Sequence, residues 1–185
     1  MGLDMYLSKR TYVKNWDHNG PEGKHTFTAK KGGKKMKHVD TKRISTIIEE
    51  VGYWRKANHI HSWFVNKVQD GIDECQTAHV SVDQLKELRD TCQTIVDYFD
   101  KSVVGEEKIK ATYGDDFIKV KYDIDEKVLS ELLPTTSGFF FGGTDYDHWY
   151  YNDCKETIEI VNEAFKGLDV ENLDWHVNFE YNASW

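Results

Sequence analysis

Leu3-Asp4-Met5-Tyr6-Leu7-Ser8 alternates apolar and polar residues near the start of the chain, and Trp175-His176-Val177-Asn178-Phe179-Glu180-Tyr181 does the same near its end. A period of two marks a strand with one buried face, so a strand is expected within Gly2–Val13 and another closing the chain. Working inward, Ser81 with Gln84 three residues on reads as a capping box. The helix it opens places Val82, Leu85, Leu88, Cys92, Ile95 and Phe99 on one stripe. Phe117–Ile124 alternates strictly, as a strand with one wet face does. A short helix is expected over 126–133, stopped by Pro134. Thr144, with Asp147 at the capping-box position, can start a long helix reaching about Phe165. Residues 43–51 fit either period, but their β-branched density and the following Gly52 favour a strand. The pattern predicts an α+β fold: a single domain over 1–185, with an antiparallel or mixed sheet, strands at both chain ends, and three to four helices packed on one face.

The chain has 185 residues and a formal charge of −8, distributed unevenly. Between Lys24 and Arg43 stand eight Lys/Arg against one acid, Asp40, a local +7 that leaves −15 on the remainder. Net charge of this sign disfavours general nucleic-acid binding, which draws on a broad basic surface. The basic stretch, about 24–43, centres on Lys30-Lys31-Gly32-Gly33-Lys34-Lys35. It reads as a hairpin-like excursion formed by His25–Lys30 and Lys34–Val39, either a solvated tip or a docking finger for a polyanion or acidic partner. Cys75, Cys92 and Cys154 are odd in number and widely spaced, which suggests free, buried thiols in a reducing compartment. No signal peptide, transmembrane run or lipidation motif is visible, so a soluble, cytoplasmic protein is expected.

The densest chemistry lies in Tyr53-Trp54-Arg55-Lys56-Ala57-Asn58-His59-Ile60-His61-Ser62-Trp63-Phe64-Val65. Read as one helix over 53–69 at about 100° per residue, it puts Trp54, Ile60, His61 and Phe64 in an apolar arc. Asn58 falls at one edge of that arc and Lys56 with Trp63 at the other. Arg55, His59, Ser62 and Asn66 fall opposite, towards water. His59 and His61 are then about 200° apart and cannot share a metal, so neither a metal nor a cofactor is expected. In the helix after Thr144, Asp153 falls inside the apolar arc and Asp147 near its edge. An inward carboxylate needs a partner, for which Arg55, Lys56 and His61 are candidates. Thr135-to-Thr144 reads as a strand whose phenylalanines alternate between interior and cleft. A phosphate loop is excluded there, because no Gly-Lys-Ser/Thr follows and Asp145 and Asp147 would repel an anion.

Met1-to-Leu7, Tyr53-to-Val65, Val68-to-Gly71, Leu132-Leu133-Pro134 with Ser137-to-Tyr146, and Tyr181-to-Trp185 together resemble a family of uncharacterised bacteriophage and prophage proteins. The resemblance touches both ends and the middle of the chain. It implies a small protein in the cytoplasm of an infected or lysogenic bacterial host, and by analogy of context one that counters host defence; it carries over no catalytic residue.

Three functions follow as expectations. The first is a non-catalytic module binding a small polar or anionic, nucleotide-like ligand. Its site would comprise Trp54, Arg55, Lys56, Asn58, His61, Trp63, Ser137, Phe140, Asp145 and Asp147, giving stacking faces, charge and directional hydrogen bonds. The second is a protein–protein inhibitor of a host component, acting through the aromatic segment or the basic finger. The third is a hydrolase using His61 with Asp147 or Asp153 as an acid–base pair.

Overall fold

The structure is a computed structural model, and it describes residues 2–109 and 117–185. The elements run β1 Asp4–Tyr12, β2 Lys30–Lys31, β3 Lys34–Lys35, β4 Thr46–Arg55, α1 Asn58–Val68, β5 Ala78–Val80, α2 Val82–Lys101, β6 Val103–Ile109, β7 Phe117–Tyr122, α3 Glu126–Leu132, α4 His148–Phe165 and β8 Val177–Ser184. The main sheet has the order β4-β1-β8-β5, and every pairing in it is antiparallel. The strands near the two ends of the chain are its central pair, so the fold is α+β as the terminal alternation predicts.

Alternation fixes the two faces of this sheet. Leu3, Met5, Leu7, Trp54, Phe179 and Tyr181 are buried under the helices in one core. Tyr6, Tyr53, Arg10 and Glu180 lie on the other face, where Tyr6 and Tyr53 pair with ring centroids 5.4 Å apart and Arg10 bonds Glu180 at 2.8 Å. Helix α2 carries its expected capping box between Ser81 and Gln84, and its stripe is buried from Leu85 to Phe99. Helix α4 crosses β4 at Gly52, where a Cβ would collide with Ile160 Cγ2 and would also meet Leu7 Cβ at 3.3 Å. The glycine lets helix and strand approach, and a register shift in β1–β4 falls between Leu7 and Ser8 beside it.

Several expectations are corrected. The segment from Tyr53 is not a single helix: β4 continues through Arg55, Lys56 turns the chain at φ 62°, and α1 starts at Asn58. Cross-strand pairing of Tyr53 with Tyr6 and of Trp54 with Met5 outweighs helical periodicity here. Tyr53 is therefore exposed, and Trp54, placed in the helical arc by the reading at 100° per residue, is not on the helix at all. Helix α4 starts at His148, with Asp147 itself as N-cap accepting from the backbone N–H groups of Trp149 and Tyr150. Residues 135–144 form no strand but an irregular loop with a turn at Phe139-Phe140. Phe140 has φ 66° and Gly142 φ 95°, so Phe139 and Phe140 are exposed in succession while Phe141 is buried.

The basic hairpin exists but pairs only Lys30–Lys31 with Lys34–Lys35, around Gly32-Gly33. Trp175 stands outside β8 and is exposed. Val120, Tyr122 and Ile124 are half-buried, with Lys121 and Asp123 exposed between them, as expected for β7 and its continuation; the side chains of residues 117–119 lie outside the described residues. The cysteines are free, with Cys92 and Cys154 buried but Cys75 exposed. Among the described residues, no helix is long and apolar enough to cross a membrane.

Candidate functional site

Asn58 organises the region where the two aromatic segments meet. Its side-chain Nδ2 donates to the carbonyl of Gly143 at 2.6 Å and reaches that of Phe141 at 3.4 Å, while its Oδ1 accepts from Thr136 N–H at 2.9 Å. One buried amide thus holds both limbs of the 135–143 loop against the first turn of α1. Gly142 completes the seating: a Cβ there would lie 3.0 Å from the Lys56 carbonyl oxygen. The Tyr53-to-Val65 and Thr135-to-Thr144 segments thus meet through Asn58, and two clefts lie beside the loop, one lined by Thr135 and Gly142-Gly143, the other by Thr136 to Phe139.

The first cleft, about 290 Å³, lies between α1 and α4. Arg55 and Lys56 line one wall, Asp145, Asp147 and Asp153 the other, and Trp149, 73% exposed, stands at its mouth. Inside it is His59, which the wheel placed in water but which is 2% exposed. The wheel assumes one wet face, whereas the start of α1 is wedged between two neighbours. His61 faces β8, and His59 packs on Tyr150 of α4 with ring centroids 4.3 Å apart. Burial pushes the His59 pKa down to about 3, so the ring is neutral at physiological pH. Its Nε2 lies 4.0 Å from Asp153 Oδ2, beyond hydrogen-bond range. Asp153 is pushed up to about 7, by burial first and then by the charges of Glu156 and Asp147. Near neutrality His59 is therefore a neutral imidazole, and Asp153 beside it is part carboxylic acid and part carboxylate.

Lys56 is the strained member of this wall, since a left-handed φ costs a non-glycine residue free energy. Its N–H donates to the Leu3 carbonyl at 2.8 Å and its carbonyl accepts from Asn58 N–H at 2.9 Å. Arg55 is 3.9 Å from Asp4, not from the acids of α4. Asp147 already satisfies the first N–H groups of α4, which leaves that helix end closed to an anion.

The second cleft, about 450 Å³, includes His61, Asp73, Ser137, Phe139, Phe141 and Trp185 in its lining. His61 is 1% exposed. Its Nδ1 is 2.8 Å from Tyr181 Oη and its Nε2 2.9 Å from Asp73 Oδ2, whose other oxygen accepts from the Trp185 indole at 3.1 Å. Burial, with Asp73 adding to it, pushes the Tyr181 phenol up, so the hydroxyl keeps its proton and shares a hydrogen bond with Nδ1. Both imidazole nitrogens are thus committed, and the expected pairing of His61 with Asp147 or Asp153 is replaced by Tyr181–His61–Asp73.

Of the residues expected to form one site, Arg55, Lys56, Asn58, Asp145 and Asp147 meet in the first cleft, and His61 and Ser137 line the second. Trp54 and Trp63 are core: Trp54 is buried with its indole N–H on Thr157 Oγ1 at 2.9 Å. Phe140 is exposed and lines neither cleft. His59, Trp149 and Asp73 were missed. Asp153 had a sequence signal, a carboxylate inside an apolar arc, but its neighbour is His59. Among the described residues, no group of three or more His, Cys, Asp or Glu is placed to hold a metal ion. Compared with protein-family models, with curated proteins and with solved structures, the chain finds no match.

Proposed function

We propose that the chain is a non-catalytic binding module whose cleft between α1 and α4 holds a small polar, nucleotide-like ligand. The observation that carries this reading is the cleft's lining: Arg55 and Lys56 share it with Asp147 and Asp153, with the backbone of Gly142-Gly143 and with the exposed ring of Trp149. A concave site with converging polar groups and a displaced pKa is where a ligand is expected. The mixed charge favours a ligand with one anionic group, for Arg55 and Lys56, and hydrogen-bond donors for the acids. A flat ring would lie on Trp149. The resemblance to phage and prophage proteins supports placing this binding in the cytoplasm of an infected or lysogenic bacterium, as an accessory function against host defence.

Thermal-shift measurements with a panel of nucleoside mono-, di- and cyclic phosphates test the ligand class. One class should raise the melting temperature of the wild type and quench tryptophan fluorescence, and Trp149→Ala and Arg55→Ala should each lose the response. An unresponsive wild type, or variants that respond equally, would contradict the proposal.

A second reading, acid–base hydrolysis, has one observation in its favour. Asp153 retains a proton close to neutral pH inside a cleft, as a general acid must. On that reading Asp153 donates the proton to a leaving group, and Asp153→Asn abolishes turnover without weakening binding.

A further inference from the structure

At the opposite end of β1 the chain builds a second surface of different chemistry. Asp4 and Tyr12 are eight residues apart on that strand, about 26 Å at the usual rise, so this surface is remote from the cleft beside Lys56. Val13 N–H donates to the Ser45 carbonyl at 2.9 Å, closing the base of the 14–45 excursion. Within it, Asn15 clamps the backbone of His25 through two hydrogen bonds, each 2.8 Å. Tyr12 N–H donates to the His176 carbonyl at 2.7 Å. These ties form a recess of about 320 Å³ whose lining includes Tyr12, Lys14, Trp16, His25, Trp175 and His176; no carboxylate lines it, and that of Asp174 is paired with His176 Nδ1 at 2.6 Å.

Two features of the recess point to one ligand chemistry. Trp16 and Trp175 are 44% and 83% exposed; Lys14 Nζ covers one face of the Trp16 ring, 3.8 Å from its centroid, so Trp175 is the more open stacking face and Trp16 brings a cation with it. From His25 the chain leads directly into the basic hairpin. Lys24, Lys30, Lys31, Lys34, Lys35 and Lys37 are all exposed there, and Lys30 is at most about 17 Å of chain from His25. Aromatic faces for bases next to lysines for phosphates are what binding of single-stranded nucleic acid needs. The lining histidines do not make a metal site, since no such cluster exists among the described residues.

We propose that this face is a second binding site, for single-stranded nucleic acid, with one or two bases on Trp16 and Trp175 and the following phosphates along the lysine hairpin. A duplex hides its base faces in the stack and would offer the tryptophans nothing. An acidic protein would use the lysines and leave the aromatic faces idle. The chain's net charge of −8 opposes extended tracking along a polyanion, so the site is short and its affinity salt-sensitive.

The test is fluorescence anisotropy of labelled oligo(dT) and oligo(U) with the intact chain, at low and physiological salt. Single strands should bind. Trp16→Ala and Trp175→Ala should each weaken binding at least about fivefold, Trp175→Phe should recover most of the loss, and Lys→Ser at 30, 31, 34 and 35 should weaken binding and flatten its salt dependence. Trp149→Ala, in the other cleft, should bind as wild type does, which separates this site from the small-ligand proposal. The proposal is overturned by absence of binding at low salt, or by tryptophan variants that bind normally. Equal competition by polyglutamate or by a duplex also overturns it, and would assign the hairpin to an acidic partner or to unspecific polyanion contact.

Discussion

His59 and Asp153 face each other at 4.0 Å, Nε2 to Oδ2, with their pKa values displaced in opposite directions, to about 3 and about 7. Burial is the first cause of each displacement, since it penalises the charged form of both groups. Asp153 in the folded chain holds a proton that the unfolded chain releases above its ordinary 3.8, so its contribution is present at low pH and lost as pH rises towards 7. His59 stays neutral where the unfolded chain protonates below 6.5, so its contribution is present above 6.5 and lost as pH falls towards 3. Between about 4 and 6.5 the two slopes oppose each other.

Removing one partner should therefore expose the other's slope. Relative to wild type, Asp153→Asn should lose stability on acidification below pH 6.5, and His59→Gln should lose it as pH rises from about 4 to 7. Each slope has an upper limit of about 1.4 kcal/mol per pH unit. Urea unfolding across this range checks the pair, and parallel profiles for the two variants would contradict opposed titration.

Asn58→Ala removes three contacts at once and leaves the Thr136 N–H and the Gly143 carbonyl without their partner. A loss of about 2–4 kcal/mol is expected, above the usual single hydrogen bond because buried groups are left unsatisfied. Urea denaturation measures it; a loss below about 0.5 kcal/mol would show that water replaces the amide.

Gly52→Ala should destabilise by about 1–3 kcal/mol through collision with Ile160. Ile160→Ala in the same chain should recover part of that cost. A double-mutant cycle reads this coupling directly, and strictly additive losses would place the strain elsewhere.

Replacing Lys30, Lys31, Lys34 and Lys35 by Ser should leave the melting temperature almost unchanged, since exposed lysines contribute little to stability. A large fall in a calorimetric scan would make the hairpin structural.

The terminal strands, α2 and its cap were legible because local pattern and tertiary role agree there: Leu3, Met5 and Leu7 alternate, and Ser81 caps with Gln84. The candidate site was legible in part. Asn58, Lys56 and Asp147 were identified from polar residues set among apolar ones. Their roles were not, since Asn58 acts through a loop 78 to 85 residues away in sequence. The failure at Tyr53-to-Ala57 has a physical cause. Aromatic and cationic residues fit either period, and Met5 and Tyr6, as cross-strand partners, settle it for strand only once the sheet has formed. His59 was lost for a related reason: a helix wheel registers a single wet face, and the first turn of α1 has neighbours on two sides. Trp149 follows Asp147 in the first turn of α4 and looks like an ordinary surface residue until Gly142-Gly143 joins it in lining one cleft.

The most direct test of the central claim is native mass spectrometry of the intact chain purified from bacteria, with Trp149→Ala purified in parallel. The wild type should carry a bound small molecule that dissociates on denaturation and is missing from the variant. A wild type at the bare mass of the chain, or the same adduct on Trp149→Ala, would contradict ligand binding between α1 and α4.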